Sequence, residues 1–164
     1  MPDTVAEPDA SAAAAPAPEP VAEPTLPPAT VRRTVSAEIA RQLVAAGTRY
    51  CFTVPAEPIL PLLDDLEAAG IRVVTTRHEG AATFMAEALS QATGRPQAVA
   101  VSRAVGAANA AIGIHTARQD STPLAVLVGQ VPASVRGREA FQEADLVSSF
   151  GSLASWAAQI DDPD

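Results

Sequence analysis

Glu79 is the residue of this chain with the clearest opening for chemistry. It follows a β-branched run and opens a stretch rich in Ala, Phe and Met. A carboxylate set in apolar company has its pKa raised and can hold or share a proton. The alternative is structural: an acid in the first turn of a helix is stabilised by the helix dipole. The pattern alone favours this second reading. His78 adds nothing directly, because adjacent side chains diverge and cannot form a hydrogen-bonded dyad. His115 falls within a helical stretch and reads as packing or surface. Cys51 lies in an apolar run and reads as a buried structural thiol. Two histidines and one cysteine far apart give no metal-ligand spacing. There is no G-x-G-x-x-G and no P-loop, and Gly106 and Gly113 are too far apart to imitate either. Phe141-Gln142-Glu143 sets one apolar residue beside two polar ones in a loop, a pattern without an interpretation of its own.

The elements that must position these residues alternate between helix and strand. Ser36 is placed to cap a helix with an apolar stripe of Val35, Ile39, Leu43 and Val44, ended by Gly47. Tyr50–Val54 reads as a strand, bounded by Pro55. Ile59, Leu62, Leu63 and Leu66 recur at helical spacing up to Gly70, and Ile71–Thr75 is a second strand. Phe84, Met85, Ala88, Leu89 and Ala92 form a helical face that ends at Gly94. Ala98–Ser102 is the third strand, and an Ala-rich helix runs from Ala107 to Arg118. Leu124–Val128 is nearly continuous in Leu, Val and Ala, as a strand buried on both faces would be. Residues 138–150 suggest a loop and a short helix, and Trp156–Ile160 a last strand. The expected fold is α/β: three layers, α/β/α, around a central parallel sheet. In such sheets ligands bind beyond the carboxyl ends of the strands. That rule selects Pro55–Glu57, Arg77–Glu79, Ser102–Gly106 and Gly129–Val131.

Composition divides the chain. Residues 1–31 hold eight of the fifteen prolines, five acids and no base, without aromatics or a periodic apolar face. Such a segment cannot bury enough surface to offset the entropy of ordering, and it is expected to be a disordered tail. Residues 32–164 are the expected domain, with eleven Arg against fourteen acids and no lysine. The arginines are scattered rather than striped, so no basic face exists for nucleic acid. No run approaches the roughly 20 apolar residues that a membrane span needs, and no secretory signal pattern is present. The expectation is a cytoplasmic domain with one core.

The residues also carry a family likeness. Arg77-His78-Glu79-Gly80-Ala81-Ala82-Thr83-Phe84-Met85-Ala86-Glu87, continuing to Ala92-Thr93-Gly94-Arg95-Pro96, resembles the signature helix of acetolactate-synthase-like thiamine-diphosphate enzymes. Gly106-Ala107-Ala108-Asn109, Gly113-Ile114-His115-Thr116-Ala117 and Gln119-Asp120-Ser121-Thr122-Pro123-Leu124 continue it. So do Val128-Gly129-Gln130-Val131, Arg138-Glu139-Ala140-Phe141-Gln142-Glu143 and the early Tyr50-Cys51-Phe52-Thr53-Val54-Pro55-Ala56-Glu57. The landmarks fall in order over roughly residues 35–162.

The resemblance implies a flavodoxin-like, pyrimidine-binding N-terminal domain and overturns the structural reading of Glu79. It makes Glu79 the glutamate that hydrogen-bonds the aminopyrimidine of thiamine diphosphate and favours its imino tautomer. The exocyclic imine of that ring then takes the thiazolium proton to form the ylide. It implies that Val54, Pro55 and Ala56 line the pyrimidine pocket, that Gly106 sits in the loop beside the thiazolium, and that Phe141 and Gln142 lie near the reacting carbon and substrate. The substrate default is a 2-keto acid.

Several positions depart from the pattern. Thr53 and Ala56 replace glycines of the first turn, Ala104-Val105 stand where Gly-Pro is usual, and Ala88-Leu89 occupy a common Gly-Tyr pair. A Cβ where glycine lets a backbone approach a ligand is an obstruction. No segment matches the Gly-Asp-Gly start and downstream Asn that hold diphosphate and magnesium in the family. Magnesium is therefore expected on a partner domain. The expectation is a homodimer, or a heteromer with a diphosphate-binding subunit, inactive alone. The alternative is a noncatalytic remnant or paralogue that serves only as a dimerising domain.

Overall fold

The computed structural model describes residues 34–161. The expected tail, 1–31, lies outside them. Helix α1 (Val35–Ala45) is capped by Thr34, whose hydroxyl accepts from the Ala37 N–H at 3.1 Å. The expected cap, Ser36, sits inside the first turn and donates instead to Asp65. Strand β1 (Tyr50–Thr53) leads through a 3₁₀ turn (Glu57–Ile59) into α2 (Leu60–Ala68). Then come β2 (Arg72–Thr75), α3 (Glu79–Thr93), β3 (Gln97–Val101), α4 (Ala104–Gln119) and β4 (Leu124–Val128). Helix α3 stops at Gly94, which takes φ +66° and returns its N–H to the Ser90 carbonyl, a left-handed cap that glycine adopts without strain. A short helix α5 (Leu146–Phe150) follows the last strand.

The four strands are parallel in the order β2-β1-β3-β4. The order reverses between β1 and β3, the switch point beyond whose carboxyl ends open α/β sheets place their ligand crevice. Alternation along the strands divides the core in two. On one face Cys51, Ala98 and Ala100 meet Ala40 and Leu43 of α1 and Ile59, Leu63 and Leu66 around α2. On the other, Phe52, Val99 and Val101 meet Ala82 and Ala86 of α3 and Ala110 of α4. The result is the expected three-layer α/β/α sandwich.

Three expectations give way. β4 is half-buried rather than buried on both faces, because it is the edge strand, and β3 is the strand buried along its whole length. Trp156–Ile160 forms no strand; it runs irregularly beside β4, and Trp156–Ala158, Phe150 and β4 line a cleft of about 530 Å³. In α3 the helical period is right but its orientation is not. Gly80, Ala82, Thr83, Ala86, Glu87 and Ser90 face inward, while Phe84 and Met85 are exposed.

Small side chains let α3 and α4 approach closely. A Cβ at Gly113 of α4 would collide with Oγ1 and Cβ of Thr83 on α3. The buried Thr83 hydroxyl lies 2.9 Å from the Gly80 carbonyl and 3.2 Å from that of Glu79, so it cannot turn away freely. This contact sets how closely the two helices pack along their middle turns.

Candidate functional site

Glu79 is the first residue of α3, just beyond β2. His78 before it caps the helix, accepting the Gly80 N–H on Nδ1 at 3.0 Å. This confirms that His78 and Glu79 diverge and gives the histidine a structural task that the pattern did not show. The Thr76 hydroxyl lies 3.2 Å from the carbonyls of both Thr53 and His78, tying the end of β1 to the start of α3.

Glu79 is half-buried, not sunk among apolar side chains as expected. Phe84 and Met85 lie five and six residues on, about 140° and 240° around a helix of 3.6 residues per turn, and point elsewhere. The partner of Glu79 is polar. Asn109, on α4, donates its amide to Oε2 at 2.9 Å. Oε1 faces Gly106: a Cβ there would stand 3.4 Å from Oε1 and 3.3 Å from Val101 Cβ. Asn109 thus fixes one carboxylate oxygen, and the other lies against the bare backbone of Gly106. Glu79 and Gly106, both expected at the site, are therefore brought together. Asn109, which stood in the quoted motif without a role, is what aims the carboxylate.

The residues Val54, Pro55 and Ala56 form the turn after β1, on the same side of the sheet. Val54 and Ala56 are half-buried and Pro55 is exposed. The two side chains that replace glycines here are turned inward. Thr53 is fully buried and donates its hydroxyl to the Ala100 carbonyl at 2.7 Å. Ala56 packs against the core beneath α1 and α2. Neither side chain points away from the core, and Glu79 keeps one carboxylate oxygen on Asn109 and the other beside Gly106.

Phe141 and Gln142 sit in a loop whose backbone is held by Glu143. Its carboxylate accepts from the N–H groups of Gly137 at 2.5 Å and Ala140 at 2.9 Å, and those bonds hold its pKa below the ordinary carboxylate range. Within the loop Glu139 and Gln142 take left-handed φ of +54° and +62°, strain that surrounding bonds must sustain. Phe141 is largely exposed. No hydrogen bond joins either residue to Glu79 among the described residues. The loop is tied instead to the turn after β1, through Arg103, which the pattern did not single out. It donates Nη2 to Glu57 Oε2 at 3.1 Å, and Nη1 lies 3.5 Å from the Phe141 carbonyl.

Other titratable groups are set apart. Burial pushes the Cys51 thiol up to about 12, in line with an inert structural cysteine. Glu87 on α3 is almost fully buried beside Gln91 and Asp120; its pKa is raised by that burial first, then by the Asp120 carboxylate. His115 is exposed on α4. Among the described residues no cluster of three or more His, Cys, Asp or Glu could hold a metal ion. No helix among them is long and apolar enough to cross a membrane.

Residues 33–149 match the family model described as thiamine pyrophosphate enzyme, N-terminal TPP binding domain. The chain is 44% identical over 110 residues to the acetolactate synthase isozyme 3 large subunit of Escherichia coli (strain K12), covering 66% of this chain and 19% of that protein. It is 35% identical over 126 residues to the probable acetolactate synthase large subunit of Methanocaldococcus jannaschii, covering 77% and 21%. It is 32% identical over 122 residues to 2-hydroxyacyl-CoA lyase 2 of Xenopus laevis, covering 74% and 19%. The chain thus spans about a fifth of the length of these relatives.

Proposed function

Because the chain belongs to the thiamine pyrophosphate enzymes, as an acetolactate-synthase-like N-terminal TPP-binding domain, we propose that Glu79 is the group that receives the cofactor's aminopyrimidine. The observation that carries this reading is the Glu79 carboxylate itself, with Oε2 fixed by Asn109 and Oε1 beside Gly106. Thiamine diphosphate, when bound, supplies an electron sink for carbanion chemistry. Glu79 offers Oε1 to a ring nitrogen and holds or releases a proton there. Asn109 keeps the carboxylate pointed into the crevice, and Gly106 keeps the approach clear. Val54, Pro55 and Ala56 form the pocket wall, and the 137–143 loop brings Phe141 and Gln142 towards the substrate.

The diphosphate and its magnesium belong, in this reading, to a partner domain. The reaction is decarboxylation or carboligation of a 2-keto acid by a cytoplasmic homodimer or heteromer. The exposed stripe of Phe84 and Met85 on α3 and Val105 and Ile112 on α4 is the surface we assign to that partner. The same stripe is what favours the second reading, a noncatalytic interaction domain.

Titration of the ¹⁵N-labelled chain with thiamine separates the two. The cofactor reading expects saturable shifts at the Gly106 and Asn109 amides, weakened at least tenfold in Glu79→Gln with an unchanged circular dichroism spectrum. An equal response from Glu79→Gln would remove the role assigned to Glu79. The chain alone should show no turnover with thiamine diphosphate and magnesium.

A further inference from the structure

Arg103 and Glu57 form an ion pair across the mouth of the crevice between β1 and β3, at 3.1 Å. Glu57 comes from the turn after β1, and Arg103 from the residue that caps α4 after β3. The two members are unlike in exposure. The Arg103 side chain is 16% exposed and the Glu57 side chain 83%. The cation is built into the fold, whereas the carboxylate lies on the surface and is free to leave.

Arg103 is also short of partners. A guanidinium has five N–H donors in a fixed fork. Here one contact goes to Glu57, and a second, at the limit of hydrogen bonding, reaches the Phe141 carbonyl. Its Nε is buried and has no hydrogen-bond partner. A buried donor left unmade is costly, and the fork geometry matches a planar carboxylate held by two parallel bonds.

We propose that Arg103 is the anchor of a carboxylate-binding site in this crevice, and that Glu57 occupies it as a tethered stand-in until a small carboxylate ligand displaces it. The Glu57 side chain shows what the site accepts, since its own carboxylate is already seated on the guanidinium. A ligand carboxylate would take over the Glu57 contact and lie between the β1 turn and the Phe141 loop. Glu57 would then swing into solvent, where most of it already is. The site rests on Arg103 and its geometry and does not require a cofactor on Glu79, so the two assignments stand or fall separately.

The test uses the full chain without cofactor and pyruvate as the probe, at fixed pH and ionic strength. The Arg103 Nε–H resonance and the Phe141 and Gln142 amides are followed by ¹H–¹⁵N correlation spectra. A saturable shift with pyruvate, and none with the neutral pyruvamide, is expected. Arg103→Lys, which keeps the charge and loses the fork, should weaken binding about tenfold. Glu57→Gln, which removes the competitor, should tighten it roughly two- to fivefold, the range spanned by an exposed ion pair. A merely structural pair predicts no gain from Glu57→Gln. No saturation in both the wild type and Glu57→Gln, an equal response to chloride, or binding of inorganic phosphate in place of pyruvate would each overturn the assignment.

Discussion

The contact between Gly113 and Thr83 sets a measurable limit on how the site is held together. In Gly113→Ala the new methyl lands on Oγ1 and Cβ of a buried threonine, and nothing flexible stands between the helices. Overpacking of this kind costs about 1–3 kcal/mol. Thr83 must also move off the carbonyls of Gly80 and Glu79, and a buried hydroxyl left unpaired adds about 1 kcal/mol. Against this, Ala is favoured over Gly in a helix interior by about 1 kcal/mol. The net expectation is a loss of about 2 kcal/mol, or roughly 8 °C in Tm at about 4 °C per kcal/mol for a domain of this size. Thermal melts followed at 222 nm provide the assay. The swap Thr83→Gly with Gly113→Ala moves the bulk to the other helix, so the double variant should lose less than the two singles together by at least about 1 kcal/mol. A Gly113→Ala protein as stable as the parent would show that helix propensity outweighs the collision. Strictly additive losses in the swap would show that the two residues do not meet as described.

Glu87 should make stability fall as pH rises. Its pKa is raised in the fold, so its contribution is fully present below the unfolded value of about 4.3 and is lost as pH climbs through the raised one. Glu87→Gln should therefore raise Tm at pH 7 and have little effect at pH 4, and an equal change at both would refute the assignment. The thiol of Cys51, pushed up to about 12 by burial, should resist Ellman's reagent in the native protein at pH 8 and react at once in urea. Full reaction of the native thiol within minutes would contradict its burial.

Much of the scaffold was legible because it depends on local rules. β4 was placed to the residue, and Gly47, Gly70 and Gly94 end their helices as expected, each with positive φ. The place of Glu79 after a strand and at the start of a helix was legible in the same way. What stayed illegible depends on the third dimension. A continuous apolar run signals burial on both faces, but β4 is an edge strand beside an irregular segment, and no local pattern separates those cases. Thr34 rather than Ser36 caps α1, and both hydroxyls reach Asp65, 31 and 29 residues away, a contact no local pattern shows. The Phe84–Met85 stripe has the period of a core face and nonetheless points outward, since small residues suit the tight seam against α4. Arg103 carries no motif at all. Its interest comes from Glu57 and Phe141, 46 and 38 residues distant.

The outer edge of β4 has a consequence for the behaviour of the chain in bulk solution. Leu124-Ala125-Val126-Leu127-Val128 contains no proline, and the chain has no lysine with which to guard an edge strand. Colloidal stability must then come from elsewhere, and the source at hand is a net charge of −8 at pH 7. As the pH is lowered towards the isoelectric point near 4.7, that repulsion vanishes while the apolar edge remains. Salt has a similar effect at neutral pH, shortening the range of repulsion to about 10 Å at 0.1 M. Turbidity should therefore track electrostatic screening well before the fold itself begins to melt.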